Sequence, residues 1–213
     1  MSATTRLSVF PLPGAILFPG LHLPLHIFEP RYRALVSDAM ARDRRIGMIQ
    51  PREAPRISEG GAGDRPPLYE VGCVGRIAEV EALDDGRYNL ILEGVSLFRL
   101  AREIDAATLF RQVEAELLPQ PPVDETLPLG HRAALEMEAR RFADAAGYAV
   151  DWDQVGRLDD QTLVNGIAQI APFDAAAKQA LLEAPGIDVR ADLLIQLMQF
   201  FGRHDGEDRV TLQ

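Results

Sequence analysis

The stretch FPLPGAILFPGLHLPLHIFEPRYRALVSDAM, residues 10–40, decides the fold of the first part of the chain. Its short apolar runs are separated by Pro and Gly, and because proline lacks a backbone N–H, this pattern predicts edge strands, bulges and tight turns. Glu29 and Pro30 then begin a helix, since proline fits the first helical turn, and apolar residues recur at helical spacing as far as about residue 42. We expect an irregular β-rich opening followed by one helix.

Further short strands are indicated after this helix. IGMIQ, residues 46–50, is an apolar run typical of a buried strand. Residues 51–67 contain so much Gly and Pro, and so few apolar side chains, that we expect a mobile surface loop there. Apolar residues of both parities follow at 70–81, so this strand is either buried on both faces or bulged near Gly75.

A hairpin turn is predicted at DDG, residues 84–86, because Asp and Gly accept the positive φ angles of such turns. We expect the strand after the turn to end at Gly94 and a new strand to include Phe98. The alternation in VEAEL, residues 113–117, predicts a last, half-buried strand. Short strands with turns between them predict a small barrel-like β unit over residues 1–118.

The composition changes at PQPPVDETLP, residues 119–128, which predicts a stiff, extended linker. Apolar residues at helical spacing then predict an all-helical bundle over 129–204, with the first helix ending at Gly147, and the polar tail 205–213 is expected to be flexible. Three later helices are expected to start at aspartates, which favour the positive end of the helix dipole: Asp160, Asp174 and Asp188. The predicted fold class is α+β.

The charge balance limits the classes of function. The formal charge is −10, and residues 119–213 carry eight basic and sixteen acidic side chains, whereas nucleic-acid binding rests on clustered Lys and Arg. We therefore expect no nucleic-acid partner. The single lysine, Lys178, lacks the neighbouring Gly and Ser or Thr of a phosphate-binding loop, so we expect no ATPase of that type and interpret Lys178 as a surface residue of an amphipathic helix.

The subcellular location is predicted from the absence of membrane-spanning and signal-peptide patterns in the sequence. It contains no run of 18 apolar residues and no basic head followed by an apolar stretch, which predicts neither a spanning helix nor a signal peptide. A single cysteine, Cys73, agrees with a reducing compartment. We expect a cytoplasmic protein with no membrane partner.

Several segments resemble the N-terminal substrate-recognition domain of the Lon protease family. Residues 10–40, with paired F-P elements and IFEPRY, look like the family's opening, and GMIQP, VGCVGRIAEVE and DGRYNLILEGVSLFRL are similar to its later strands in the same order. IAQIAPFDAAAKQALLEAPGIDVRADLL resembles its helical ending. The resemblance implies a PUA-like, β-rich pseudo-barrel followed by a helical bundle, and a role in recognising polypeptides. We expect a stand-alone domain without ATPase or peptidase machinery and without a cofactor.

Catalytic and metal chemistry find little support. His22, His26 and Glu29 suggest a metal site, but Pro24 favours extended backbone, so the two histidines do not share one helical face and we expect no metal. Cys73 lies in an apolar strand, where its thiol is expected to be protonated and inert. No residues have the spacing that catalysis needs, and we expect no enzyme.

The apolar residues near the end of the proline-rich opening exceed what one short strand needs. Most are expected in the core, and an exposed remainder would bind extended apolar segments. Beside them, the carboxylate of Glu29, the guanidinium of Arg31 and the phenol of Tyr32 could together bind a polar ligand. Each also has a structural explanation: Glu29 precedes the helix start, Arg31 can pair with a carboxylate, and Tyr32 fits the buried helix face. The predicted polypeptide-binding residues are Leu21, Leu23, Leu25, Phe28, Glu29, Arg31 and Tyr32.

Two functions from different classes follow. The first is a non-enzymatic module that recognises unfolded or exposed polypeptide, as an adaptor in protein quality control working with a separate protease or chaperone ATPase. The second is a small-ligand sensor, with its ligand between the β unit and the helical bundle, because clefts often form at domain junctions.

Overall fold

Strands followed by helices confirm the predicted α+β class. The computed structural model describes residues 4–52, 66–119 and 125–208, and for 203–208 the backbone alone. The chain divides into two compact units, Met1–Gln120 and Pro121–Gln213. The described strands all lie in the first unit, in which one helix is also described. They are β1 (Thr4–Pro11), β2 (His22–Ile27), α1 (Pro30–Met40), β3 (Arg45–Ile49), β4 (Val71–Ala82), β5 (Tyr88–Ile104) and β6 (Arg111–Leu117).

The described strands of the first unit form one sheet that closes on itself. Their order is β2-β5-β4-β3-β1-β6, and β5 also pairs with β6, so the last five strands of this order make a closed ring. β1 and β3 are parallel, whereas the other pairs are antiparallel. The N-terminal half of β5 pairs with β2 and its C-terminal half with β6, which leaves β2 outside the ring. The prediction of a barrel-like β unit is confirmed.

The longest strand, β5, departs from the sequence-based expectation. It continues for 17 residues through Gly94 and Phe98, so the prediction that one strand ends at Gly94 and another follows is wrong. Its pairing with β4 shifts at two places, because β5 has one extra residue, Val95, at the first and β4 has one extra residue, Ala78, at the second. The first five residues of β4 are also buried on both faces. Burial on both faces is therefore confirmed for the first half of this strand. The register does shift at Gly75, but the extra residue there belongs to β5, and the bulge in β4 itself lies at Ala78.

One core cluster of the first unit lies between the sheet and α1, and a second includes Val9, Phe98 and Val113 of the sheet. This helix buries Tyr32, Leu35, Val36 and Ala39, the face that its apolar spacing predicts. They pack in a cluster with side chains of the sheet such as Leu92, which is fully buried. Full burial of a Leu or Ile side chain contributes about 1.5–3 kcal/mol, so the cluster holds α1 against the sheet.

The second unit is all-helical in its described residues. α6 packs against α2, α4 and α5. The helix α2 ends at Gly147, which has a φ of 76° and supplies the predicted left-handed cap. The helices are α2 (Leu129–Ala146), α3 (Trp152–Val155), α4 (Asp160–Ile170), α5 (Ala175–Glu183) and α6 (Ile187–Asp208).

The predicted aspartate cap is confirmed for α5, lies one residue earlier than predicted in α4, and is wrong for α6. Asp174 accepts a hydrogen bond from the N–H of Ala177 at 2.7 Å, as expected for a cap. The cap of α4 is Asp159, not Asp160, because Asp159 accepts from the N–H of Thr162. α6 already begins at Ile187, so Asp188 lies in its first turn. The short helix α3, capped by Asp151, was not predicted.

Lys178 is buried, and the prediction that it lies on the surface is wrong. Its side chain is 7% exposed, and its Nζ donates to the carbonyl oxygen of Gln169 at 2.9 Å. The last carbonyls of a helix have no partner within the helix, and Gln169 is in the last turn of α4. The ammonium group therefore satisfies one of them. Burial lowers the pKa of Lys178 below its usual value.

Some predictions concern residues outside the described part of the chain. Most of the predicted mobile loop (53–65) and the centre of the predicted linker (120–124) fall in this group. The helix α6 continues to Asp208, further than the sequence-based boundary at 204. Among the described helices, none combines the length and the apolar character that crossing a bilayer requires.

Candidate functional site

The strand β2 is an edge strand. It carries His22 and His26, which were considered as metal ligands, and Leu23 and Leu25, which were predicted to bind polypeptide. It pairs with β5, with Leu23 opposite Leu92 and Leu25 opposite Leu90, and no strand of the described part of the chain pairs along its other edge. Pro24 stands in the middle of β2. Because proline has no N–H to donate, it is tolerated at such an edge and reduces the capacity of the edge to pair with another strand.

The alternation of β2 divides the predicted binding residues between two faces. Leu23 and Leu25 are half-buried and pack against the core cluster beneath the strand, and Leu21 is half-buried as well. The other face is exposed and carries Pro24 and His26. Phe28 follows with its side chain 62% exposed.

Exposed aromatic and polar groups meet on this outer face. The rings of Phe28 and His26 are stacked with centroids 6.3 Å apart. The Nδ1 of His26 lies 2.7 Å from the Oδ1 of Asn89, and the Nδ2 of Asn89 donates to Glu81 at 2.8 Å. An amide oxygen only accepts, so Nδ1 of His26 carries the proton, and Nε2 then accepts from Arg87 at 3.2 Å when the ring is neutral. Both ring nitrogens of His26 are therefore engaged.

The two histidines of β2 are too far apart to chelate one ion. His22 and His26 are four residues apart in a strand, which corresponds to about 13 Å at 3.3 Å per residue. In the described ranges, no three His, Cys, Asp or Glu side chains are grouped to hold a metal.

A cleft lies beside the outer face of β2. It has a volume of about 510 Å³ and is formed by three adjacent strands. Glu79 and Glu81 make one side acidic, whereas Pro24 and Val80 contribute apolar surface. The cleft, the β2 edge and the ring of Phe28 form the surface that we call the β2 surface.

The start of α1 supplies a different environment for the remaining predicted residues. Arg31 donates to Glu29 at 2.8 Å, and its guanidinium lies 4.5 Å from the ring centroid of Tyr32. The Tyr32 ring is buried 4.2 Å from that of Phe10, its hydroxyl donates to the carbonyl of Pro11 at 3.3 Å, and burial raises its pKa. Tyr32 is thus a core residue, and only the Glu29–Arg31 ion pair of this trio reaches the surface.

The thiol of Cys73 is enclosed. Cys73 has no exposed surface, and burial raises the pKa of its thiol to about 12, so the thiol is protonated at neutral pH. The expectation of an inert thiol agrees with this environment.

A second cavity in the helical unit was missed by the sequence analysis. It has a volume of about 470 Å³ and lies among α2, α3, α4 and α6, and we call it the helical cavity. The apolar residues Tyr148, Val150 and Trp152, in a segment that has no single helical spacing, were the signal that could have revealed it. Its lining is Ala139, Phe142, Ala143, Tyr148, Ala149, Val150, Trp152, Val155, Leu158, Thr162, Leu163, Gly166, Ile167, Ile170, Ala171, Pro172 and Met198.

Comparison with known proteins identifies the family. Residues 6–199 match the model of the ATP-dependent protease La (LON) substrate-binding domain. The chain therefore belongs to this family, as the sequence resemblance predicts. Two solved structures share its fold: a Lon N-terminal domain protein from Xanthomonas campestris (TM-score 0.64, 22% identity, 90% of this chain and 98% of that one) and the N-terminal domain of a Mycobacterium avium complex Lon protease (TM-score 0.64, 19% identity, 92% and 98%).

Longer relatives are similar over the same region. Lon protease 2 of Myxococcus xanthus is 27% identical over 200 residues, which cover 90% of this chain and 23% of that protein. The Lon protease of Escherichia coli strain K12 is 26% identical over 201 residues, which cover 93% of this chain and 25% of that protein. The chain thus spans about a quarter of the length of these curated relatives.

Proposed function

We propose that this chain is a non-enzymatic module that recognises unfolded or exposed polypeptide through the β2 surface. The observation that carries the proposal is the exposure of Phe28, 62%, beside an edge strand in a chain of a substrate-binding family. An aromatic side chain exposed to water gains free energy when a partner covers it, and aromatic anchors contribute much of the energy of many interfaces.

Side-chain burial contributes more to this binding than strand addition. Pro24 removes one donor from the outer edge of β2, so a client strand aligned there lacks a hydrogen bond in the middle. The acidic side of the cleft, formed by Glu79 and Glu81, favours clients that carry basic residues next to their apolar side chains. The ion pair of Glu29 and Arg31 lies close in sequence to Phe28 and supplies a polar rim.

A role as an adaptor follows from such binding. A non-enzymatic module that holds unfolded segments serves protein quality control by delivering them to a protease or chaperone ATPase. The small-ligand sensor, with its ligand between the two parts of the chain, stays a prediction. The β2 surface lies within the first unit and supports polypeptide binding.

The proposal is tested with a fluorescently labelled polypeptide kept unfolded by reduction and blocking of its cysteines. We expect Phe28→Ser to weaken its binding about tenfold or more in an anisotropy titration, which corresponds to about 1.4 kcal/mol. The matched control is Leu109→Ser, since Leu109 is an apolar residue of the same unit and is 69% exposed. If both variants bind the unfolded polypeptide as tightly as the unchanged chain does, Phe28 is not part of the binding surface.

A further inference from the structure

The helical cavity is enclosed by large apolar side chains from several helices. Phe142 of α2, Trp152 of α3, Leu163 of α4 and Met198 of α6 line it, and its volume of about 470 Å³ exceeds that of one aromatic side chain. Pockets that bind ligands have about 300–1,000 Å³. The cavity is therefore large enough for a bulky side chain together with part of its backbone.

The rim of the helical cavity is apolar and exposed. Ile170 is 79% exposed and Tyr148 is 52% exposed, and both line the cavity. Val150 and Leu158 are 38% and 39% exposed. Contiguous apolar surface of this kind marks binding sites in proteins that otherwise keep such residues apart.

The lining offers few polar groups to orient a small molecule. Thr162 contributes a hydroxyl, but this group already donates to Asp159 at 2.7 Å. The guanidinium of Arg140 lies over the ring of Trp152, 4.7 Å from the ring centroid. Small-molecule sites normally fix their ligands with several convergent polar groups. The helical cavity instead selects for apolar bulk, as the side chain of a polypeptide supplies.

The unit that contains the helical cavity carries an excess of negative charge. Residues 121–213 carry eight Lys and Arg against sixteen Asp and Glu. Asp151 and Asp159, next to lining residues in sequence, cap α3 and α4. Hydrogen bonds from Thr162 hold the pKa of Asp159 below its usual value, so this carboxylate stays charged at neutral pH. An occupant with positive charges beside its apolar group is complementary to this unit.

We propose that the helical cavity binds an aromatic or large aliphatic side chain of an extended polypeptide segment whose flanking residues are Lys or Arg. The inference rests on the proposed polypeptide-binding function and names a class of segment that the helical unit takes. The helical cavity is thus a second polypeptide-binding site, in a different unit from the β2 surface.

The test uses a labelled short peptide with one central Trp flanked by lysines, titrated with the complete chain. Two matched peptides replace the lysines by glutamates or the Trp by Ser. We expect each replacement to weaken binding about tenfold or more, because one removes the charge complementarity and the other the side chain that fills the cavity. The preference for lysine over glutamate is expected to decrease with added salt.

Gly166 provides a variant that fills the helical cavity without disturbing the helix. A Cβ atom on Gly166 would meet no atom within 4 Å, and Gly166 lines the cavity. Leu has a higher helix propensity than Gly, so Gly166→Leu is expected to fold and to weaken the Trp–Lys peptide about tenfold or more. The control is Gly130→Leu, because Gly130 is also helical, is equally open and does not line the cavity.

Each other outcome overturns the inference. Equal binding of the lysine and glutamate peptides would contradict the charge argument, and unchanged peptide binding by Gly166→Leu would place the peptide elsewhere. Equal affinity for free indole would indicate a small-ligand cavity, and dimerisation that Gly166→Leu abolishes would indicate a second copy as the occupant. If the unfolded polypeptide still binds in these cases, only this inference fails. If the unchanged chain does not bind that polypeptide, the proposed function fails as well.

Discussion

The carbonyl oxygen of Phe18 lies 2.0 Å from the point that a Cβ atom on Gly94 would occupy. The segment before β2 therefore crosses the middle of β5 at Gly94, which has no side chain to block the close approach. Two hydrogen bonds hold the crossing, since Gly20 donates to the carbonyl of Gly94 and Gly94 donates to that of Leu21, both at 2.9 Å. Gly94 thus fixes where β2 begins along β5.

A methyl group at this crossing is expected to destabilise the fold. In Gly94→Ala the new Cβ would overlap a backbone atom, which cannot turn away as a flexible side chain can. Overpacking costs about 1–3 kcal/mol, and we expect Gly94→Ala to lower the free energy of unfolding by at least this amount in urea titrations.

The same substitution at Gly166 is the control for Gly94→Ala. Gly166 is helical and its Cβ position is open, so Gly166→Ala is expected to raise the free energy of unfolding by about 0.5–1 kcal/mol. Equal effects of the two substitutions would contradict the close approach at Gly94.

The thiol of Cys73 is expected to resist alkylation in the native protein. It has no exposed surface, and its pKa of about 12 leaves almost no thiolate at pH 8. Mass spectrometry after treatment with iodoacetamide should show unmodified native protein and complete modification in denaturant. Rapid, stoichiometric labelling without denaturant would contradict the burial of this residue.

Asp159 is expected to make part of the stability dependent on pH. Its carboxylate accepts from the N–H and the hydroxyl of Thr162, which holds its pKa below the usual 3.8. A carboxyl group with a lowered pKa in the folded state stabilises the protein above its unfolded pKa, and this contribution is lost as the pH falls through the folded value. Loss of the cap in Asp159→Ala should cost about 1 kcal/mol at pH 7, measured by urea unfolding.

Asp159→Asn separates the cap from the charge. Asn caps helices about as well as Asp but does not titrate, so this variant should be close to the unchanged chain at pH 7. The acid-dependent loss that Asp159 contributes below about pH 3.8 should be absent from it. An identical pH dependence in both proteins would show that this carboxylate contributes nothing.

Arg190 joins three parts of the helical unit from a buried position. It donates to the carbonyls of Leu181 and Ala184 and to Oδ1 of Asn165, at 2.8, 3.0 and 2.7 Å. Burial lowers its pKa to about 10, so it remains charged at neutral pH. Lysine lacks the fork that reaches these acceptors, and an unsatisfied buried acceptor costs about 1–3 kcal/mol.

We therefore expect Arg190→Lys to lower the free energy of unfolding by about 2 kcal/mol, read from the midpoint of denaturant unfolding. Arg157→Lys serves as the comparison, because Arg157 is exposed and should tolerate the change. Stability of Arg190→Lys within error of the unchanged chain would mean that these hydrogen bonds contribute little.

The sequence predicted most strands and helices in their order because local signals specify them, but it missed α3 and divided β5 at Gly94. The hairpin turn at 84–86 and the left-handed glycine at Gly147 depend on their own backbone angles, which composition reveals. The role of Gly94 was misinterpreted because a glycine is needed there for the close approach of Phe18, a residue distant in sequence, and no local pattern encodes that contact. Lys178 was misplaced for the same reason, since the carbonyl of Gln169 that it satisfies belongs to another helix.

The candidate binding residues were predicted less completely. The sequence predicts that most apolar residues near the end of the proline-rich opening lie in the core, but it does not show that Leu23 and Leu25 pack there while Phe28 remains exposed. Tyr32 is part of the core because Phe10, far along the chain, lies against its ring. The helical cavity depends on four helices together, so no single helix pattern could reveal it.

Saturation binding of one polypeptide in two states tests the central claim most directly. A labelled protein is titrated with this chain once in its native form and once unfolded by reduction and blocking of its cysteines, with anisotropy as the readout. The account predicts saturable binding of the unfolded form and none of the native form at the same concentrations. Absence of binding to the unfolded form, or equal binding to both forms, would contradict it.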